Sequence, residues 1–215
     1  MRSIFVLGAG GLAKEVAQLI GQINAVTPRW AFSGYVDFDD GEMAELPWGD
    51  LVGDDDWLIS RSTPTDVAIG VGSPKLRRRI SEKFLGIPGI EFPNLIHPST
   101  HVDPDVVSMG VGNVITRGCV FTCDIALGDF NVFNLNVTVG HDCTIGSHNV
   151  INPGCNVSGG VEMGDGILLG TGASVIEQKT IASETIIGAG AVVVRDIVEP
   201  GTWVGVPAKP IPERA

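Results

Sequence analysis

The stretch "VTVGHDCTIGSHNVINPG", residues 137 to 154, sets His141 and His148 seven apart among Val, Ile, Gly and Asn, surroundings that do not suggest core packing for an imidazole. An unperturbed imidazole titrates near about 6.5, so it can take a proton from an attacking group at neutral pH, and a nearby carboxylate would orient it and stabilise its charged form. Cys119, Cys123, Cys143 and Cys155 form no CxxC pair, which speaks against a zinc site and for reduced thiols. His97 and His101, in "FPNLIHPSTHVDPDV", read as turn or surface residues. Near the start, Gly8, Gly10 and Ala13 fit G-x-G-x-x-A, in which glycines let a phosphate approach backbone N–H groups at a helix start.

The element carrying the two histidines is a six-residue repeat. Stepping in sixes through Val139 gives Met109, Ile115, Phe121, Leu127, Phe133, Val139, Ile145, Ile151, Val157, Met163, Leu169, Val175, Ile181, Ile187 and Val193, all large and apolar. The next residue of each hexad is mostly Gly or another small, turn-forming residue, as a tight corner beside a buried side chain requires. A second inward position, four after the first, holds Cys119, Val137, Cys143, Cys155, Val161, Ala173 and Ala191, so three cysteines are expected to act as small hydrophobes in a narrow core. A period of six is neither the 3.6 of a helix nor the two of a strand, and it predicts a solenoid whose flat faces each use one hexad. His141, third in its hexad, then faces outward. His148, fourth in the next, reads as a bystander near the following corner. The glycine pair in "SGG", 158 to 160, lies eighteen residues beyond His141 and should stack beside it.

The front ninety residues read differently. "RSIFVLGAGGLAKEVAQLIGQI" predicts a buried strand, a glycine turn and an amphipathic helix; "FSGYVD" predicts a second strand ending at Asp37; "DVAIGVGSPKLRRRI" predicts a third strand, a turn at Gly72 and a basic helix. Half of a doubly wound nucleotide fold suits a mononucleotide or nucleotide sugar better than NAD. Candidate contacts are Gly8, Gly10, Gly11, Asp37, Gly72 and, for phosphate, Lys75; Arg77, Arg78 and Arg79 read as a solvated helix face. The segment from 37 to 57, with nine carboxylates in 21 positions, reads as a solvated loop.

A β/α front domain followed by "NVFNLNVTVGHDCTIGSHNVINPGCNVSGGVEMG" and a closing "VGVPAK" resembles the bacterial hexapeptide-repeat sugar acetyltransferases, a family that includes sialic acid O-acetyltransferases and nucleotide-4-amino-sugar N-acetyltransferases. The resemblance implies a mixed fold: a small Rossmann-like β/α domain, residues 1–90, binding a nucleotide sugar, then a left-handed parallel β-helix acetyltransferase domain with a C-terminal tail, residues 91–215. It implies His141 as the base, Asp142 as its partner, Gly159 as the N–H donor to the oxyanion, and Asn134 as an acceptor-sugar contact. Acetyl-CoA is the implied cosubstrate, lying near Ala173, Gly188 and Gly190 with Lys209 for a phosphate, and no metal is expected. The implied acceptor is GDP-perosamine, the setting lipopolysaccharide O-antigen synthesis, and the assembly a C3 homotrimer with shared active sites. Close relatives often carry glutamate after the histidine; the shorter Asp142 leaves the hydrogen-bond geometry open.

A formal net charge of -11 speaks against a nucleic-acid partner, which needs Lys and Arg to displace counterions. No apolar run approaches the roughly 20 residues of a membrane helix, and "MRSIFVLGAGG" is too short for a signal peptide, so a cytoplasmic protein is expected. Two other classes stay open on the residues alone. A γ-type carbonic anhydrase would need three converging histidines, and no third one lies at matching height. A non-catalytic trimeric nucleotide-sugar sensor would bind the sugar without turning over acetyl-CoA, and sugar O-transfer would use the same base.

Overall fold

The computed structural model describes residues 1–38 and 46–211. Its front part is a parallel sheet flanked by helices, built from β1 (Arg2–Leu7), α1 (Gly11–Val26), β2 (Trp30–Val36), β3 (Leu51–Gly53), α2 (Asp55–Ile59), β4 (Thr65–Ile69), α3 (Pro74–Phe84) and β5 (Ile90–Glu91). The strand order β3-β2-β1-β4-β5 places a topological switch between β1 and β4, where a parallel sheet opens a crevice beyond its strand ends. Reading three strands from the sequence undercounted this sheet, because β3 and β5 are only three and two residues long and leave almost no periodic signal.

The solvated-loop reading of 37–57 also needs correction. Residues 39–45 lie outside the described residues, but β3 and the start of α2 fall within the rest. The carboxylates have local work there: Asp54 accepts the N–H of Trp57 at 2.8 Å as the α2 cap, and Asp55 pairs with Lys83 at 2.8 Å. The pairing with Asp55 draws the Lys83 ammonium above its usual value.

From β6 (Leu95–Ile96) onward the chain is a parallel β-helix with faces of five, five and eight strands. Register advances by one coil of eighteen residues, as in Val114↔Val132↔Val150↔Leu168. Fourteen of the fifteen lattice residues are buried, and Met109, near the open first coil, is half-buried against them. The inward cysteines behave as small hydrophobes whose thiols find a carbonyl on the next side: Cys119 Sγ donates to Asn134 O at 3.1 Å, Cys143 Sγ to Ser158 O at 3.2 Å and Cys155 Sγ to Gly170 O at 3.1 Å. Burial pushes all three thiols up, away from the reactive thiolate.

One face is apolar on both sides. Leu95, Val114, Val132 and Val150 point out of the prism, yet they are buried with Ala13, Val16, Ala17 and Ile20 of α1 in a shared core. Full burial of such side chains is worth about 1.5–3 kcal/mol each, so the front domain is packed onto the helix rather than tethered to it. The corners are held by a buried ladder in which Asn131 N–H donates to Asn113 Oδ1, Asn149 N–H to Asn131 Oδ1 and Ile167 N–H to Asn149 Oδ1, at 2.7–2.9 Å. The repeat ends where Ile186 pairs with Thr202, sixteen residues on, and Val204 then pairs antiparallel with Lys209.

Candidate active site

His141 and Asp142 stand at the corner after the strand Thr138–Val139, with about two-thirds of each side chain exposed. Asp142 has φ 59°, and this left-handed corner lets its short side chain turn back: Oδ2 lies 2.7 Å from His141 Nδ1. The aspartate is therefore long enough. With Nδ1–H donated to the carboxylate, Nε2 carries the lone pair.

The coil above closes on this ring. Gly140 N–H donates to Val157 O at 2.8 Å and Gly160 N–H to His141 O at 2.7 Å, so Gly159 is pinned over the imidazole. A Cβ at Gly159 would lie 2.6 Å from His141 Cε1 and Nε2, a separation no real contact tolerates. A Cβ at Gly140 would in turn lie 2.6 Å from Gly159 N. The Gly159 N–H has no acceptor among the described residues, which leaves it available to a ligand oxygen. Cys143 faces the core, its thiol donating to Ser158 O at 3.2 Å and His141 O at 3.7 Å from beneath the corner, whereas Cys123, one coil before His141, is exposed and accepts the Asp142 N–H through its carbonyl at 3.1 Å. Asn134 sits at the preceding corner, its Oδ1 accepting from Leu135 N–H at 2.8 Å, and no hydrogen bond joins it to His141 or Asp142.

His148 is no bystander. Its ring stacks on Phe130 at 5.3 Å, and its Nε2 lies 2.9 Å from Ser81 Oγ on α3, so it helps dock the front domain. Burial, then Arg78 and Arg77, hold its pKa below the usual histidine value, against the pull of Asp165 and Asp129. The fold therefore prefers the neutral ring. The unfolded chain takes up the proton first as pH drops below about 6.5, so stability is full above that value and is lost on the way down to the folded pKa. His97, buried with its Nδ1 2.8 Å from Ser99 Oγ and lowered by burial and Arg117, adds loss in the same direction. The melting temperature is expected to fall from pH 7 to pH 5, and less steeply in His148→Asn; an equal slope in the variant would assign the loss to other groups. His101 is exposed, and no group of three potential metal ligands exists among the described residues.

The second half of the site is the crevice at the sheet switch. Gly8, at φ 101°, makes the turn that Val71 crowds, and Ala13 packs so close to β4 that a Cβ at Gly70 would lie 2.6 Å from it. Gly10 and Gly11 border open space, and α1 has no side-chain cap, leaving its first N–H groups for an anion. Asp37 accepts from Ala9 N–H at 3.0 Å and Phe38 N–H at 2.8 Å. A cleft of about 270 Å³ joins Gly8 and Asp37 to Asp55, Arg79 and Lys83. Gly72 and Lys75 are exposed on the turn and first turn of α3, outside this lining, while Arg79 and Lys83 were missed. Their spacing of four along α3 was the available signal.

The solvated-face reading fails for Arg77, which is fully buried, although Arg78 pairs with Glu184 at the surface and Arg79 is exposed. The coenzyme candidates divide as well. Ala173 points into the core and its N–H and carbonyl are bonded to Gly170 O and Asn156 N, so it offers a ligand neither side chain nor free donor. Gly188 N–H is bonded to Trp203 O and Gly190 N–H to Thr171 O, but the space beside Gly190 is open, and Lys209 is exposed.

Comparison with known proteins bears on both halves. The PglD N-terminal domain family matches residues 3–84. No curated protein matches the chain significantly in sequence. PerB from Caulobacter crescentus, solved with CoA and GDP-perosamine, is 33% identical with a TM-score of 0.87, over 99% of this chain and 98% of its own. The acetyltransferase domain of PglB from Neisseria gonorrhoeae is 33% identical with a TM-score of 0.86, over 98% and 100%. WeeI from Acinetobacter baumannii is 25% identical with a TM-score of 0.84, over 98% and 100%.

Proposed function

We infer the reaction from kinship, since the chain belongs to the acetyl-CoA-dependent sugar N-acetyltransferases. We propose that it acetylates the amino group of a nucleotide-linked 4-amino sugar, with GDP-perosamine as the preferred acceptor. The observation that carries this reading is the Asp142–His141 pair beneath the unpaired N–H of Gly159.

In this reading the front cleft holds the nucleotide, with α1's free N–H groups toward the diphosphate, and the sugar amine lies beside His141 Nε2. The amine nitrogen attacks the thioester carbonyl while Nε2 takes its proton, and Asp142 stabilises the imidazolium. The carbonyl oxygen gathers negative charge against the Gly159 N–H, an interaction worth about 3 kcal/mol where such donors have been removed elsewhere. The C–S bond then breaks, the amide remains on the sugar, and the CoA sulfur leaves as thiolate or takes the proton back. The reading uses no acyl-enzyme: the amine attacks the thioester directly, and Cys143, next to the pair in sequence, is turned into the core. Coenzyme A would lie along the corner at Gly190, reaching Lys209; Asn134 would meet the acceptor from the neighbouring subunit of a C3 homotrimer, which also supplies the wall an exposed His141 needs. Free thiols and the absence of a membrane-crossing helix among the described residues suit the cytoplasm, and the product suits O-antigen synthesis.

The test is mass-spectrometric detection of acetyl transfer from acetyl-CoA to GDP- and UDP-linked 4-amino sugars and free sialic acid. Transfer only to free sialic acid, or to none of them with nucleotide sugar still bound, would overturn the reading. Gly159→Ala separates the placing of the base from folding: the N–H donor stays, but its Cβ must push the imidazole aside, and a displacement of about 1 Å can cost about 10²-fold. The expected result is a kcat loss of that order with an unchanged CD spectrum.

A further inference from the structure

Arg77 is a charged side chain inside the protein that pairs with no carboxylate among the described residues. Its side chain is fully buried; Nη1 donates to Ile69 O at 2.8 Å and Val71 O at 3.0 Å, and Nε donates to Phe130 O at 3.1 Å. Nη2 has no acceptor among the described residues. Three carbonyl dipoles hold a charge that burial alone makes expensive, and burial lowers its pKa to about 9. A cation kept at that disadvantage in a helix one turn from the surface calls for an explanation other than stability, since apolar residues of similar volume fill such positions at least as well.

Its three acceptors lie on two bodies. Ile69 and Val71 frame the turn between β4 and α3, and Val71 itself lines the nucleotide cleft. Phe130 opens the solenoid coil that carries His141 eleven residues later. Neighbouring contacts of the same helix fall on the same corner of later coils, one and three coils beyond Phe130: Ser81 meets His148 and Arg78 meets Glu184. The planar guanidinium thus bridges the wall of the cleft to the coil of the base, in a geometry that a lysine's single ammonium cannot reproduce.

We propose that Arg77 is a positioning residue for the nucleotide sugar: it fixes the β4–α3 turn that forms the cleft wall and registers that turn with the His141 coil. This rests on the nucleotide-sugar reading above. It requires no contact between Arg77 and the ligand.

The experiment measures GDP and acetyl-CoA binding by calorimetry, with steady-state kinetics and thermal melting, for wild type, Arg77→Lys and Arg77→Met. GDP binding is expected to weaken about tenfold or more in both variants, and the nucleotide-sugar KM to rise, while acetyl-CoA affinity stays within about twofold. Lysine is expected to give little rescue. Unchanged GDP affinity in Arg77→Met would overturn the proposal. So would equal losses for GDP and acetyl-CoA alongside a lowered melting temperature, which would make Arg77 a purely structural residue. A wild type that binds acetyl-CoA but neither GDP nor UDP would instead overturn the nucleotide-sugar reading itself.

Discussion

Replacing His141 by asparagine is expected to lower kcat for acetyl transfer by about 10²-fold or more, the contribution general-base catalysis typically makes. The asparagine amide keeps a polar group at the corner but has no basic nitrogen near neutral pH, so the proton of the attacking amine loses its acceptor. The side chain is exposed, and its one described partner is the neighbouring Asp142, so the substitution should leave folding untouched. Rate and stability therefore separate cleanly. The measurement is kcat and KM for both substrates in parallel with thermal melting. A near-normal kcat would mean that the amine arrives deprotonated and that the corner only positions it. Asp142→Asn is expected to retain more activity than His141→Asn, because it removes the orienting carboxylate and leaves the base. His148→Ala should lower kcat far less, since that ring faces α3 rather than the corner of Gly159.

The largest stability effect is expected at Phe133. It is fully buried at the centre of the prism, edge-on to Phe121 with ring centroids 5.1 Å apart, in the coil that also carries His141. Phe133→Ala removes an aromatic ring from a lattice closed by ladders above and below, where neighbouring coils cannot collapse inward. Such truncations cost about 3–5 kcal/mol. Urea unfolding followed by CD should show a correspondingly lower midpoint with a similar slope. A loss below about 1 kcal/mol would mean that the coils can slide together and that the prism is less rigid than its register implies. The same truncation at half-buried Met109 should cost much less, because solvent already reaches that end of the stack.

Much of the solenoid was legible because its period is local. An apolar residue every six positions with a small residue after it states where each side folds and which residues face inward, and the inward cysteines followed from the same count. His141 facing out, with Gly159 stacked over it, needed only the arithmetic of eighteen residues per coil. In the front domain, the fingerprint at Gly8, Gly10 and Ala13 was legible as a short motif, in which one glycine turns and one leaves room for a ligand, although the partner of Ala13, Gly70, is 57 residues away.

What only the tertiary structure decided lies where the two parts meet. The outward valines at 114, 132 and 150 fall outside the two inward series, and nothing local says whether a subunit, solvent or α1 covers them. Arg77 looked solvated because a triplet of arginines on a short helix is usually at the surface; the carbonyls that accept its hydrogen bonds include one 53 residues away. His148 looked idle because Ser81 is 67 residues earlier in the chain. Whether Asp142 could reach His141 depended on a left-handed corner that a residue type permits but does not announce. Periodicity records the environment each residue shares with its neighbours along the chain, so the repeat and its inward and outward sides were determined by the sequence alone. Docking is set by long-range complementarity between surfaces, and so the burial of Arg77, the contact of His148 with α3 and the packing of the front domain against the coil of His141 had to come from the folded molecule.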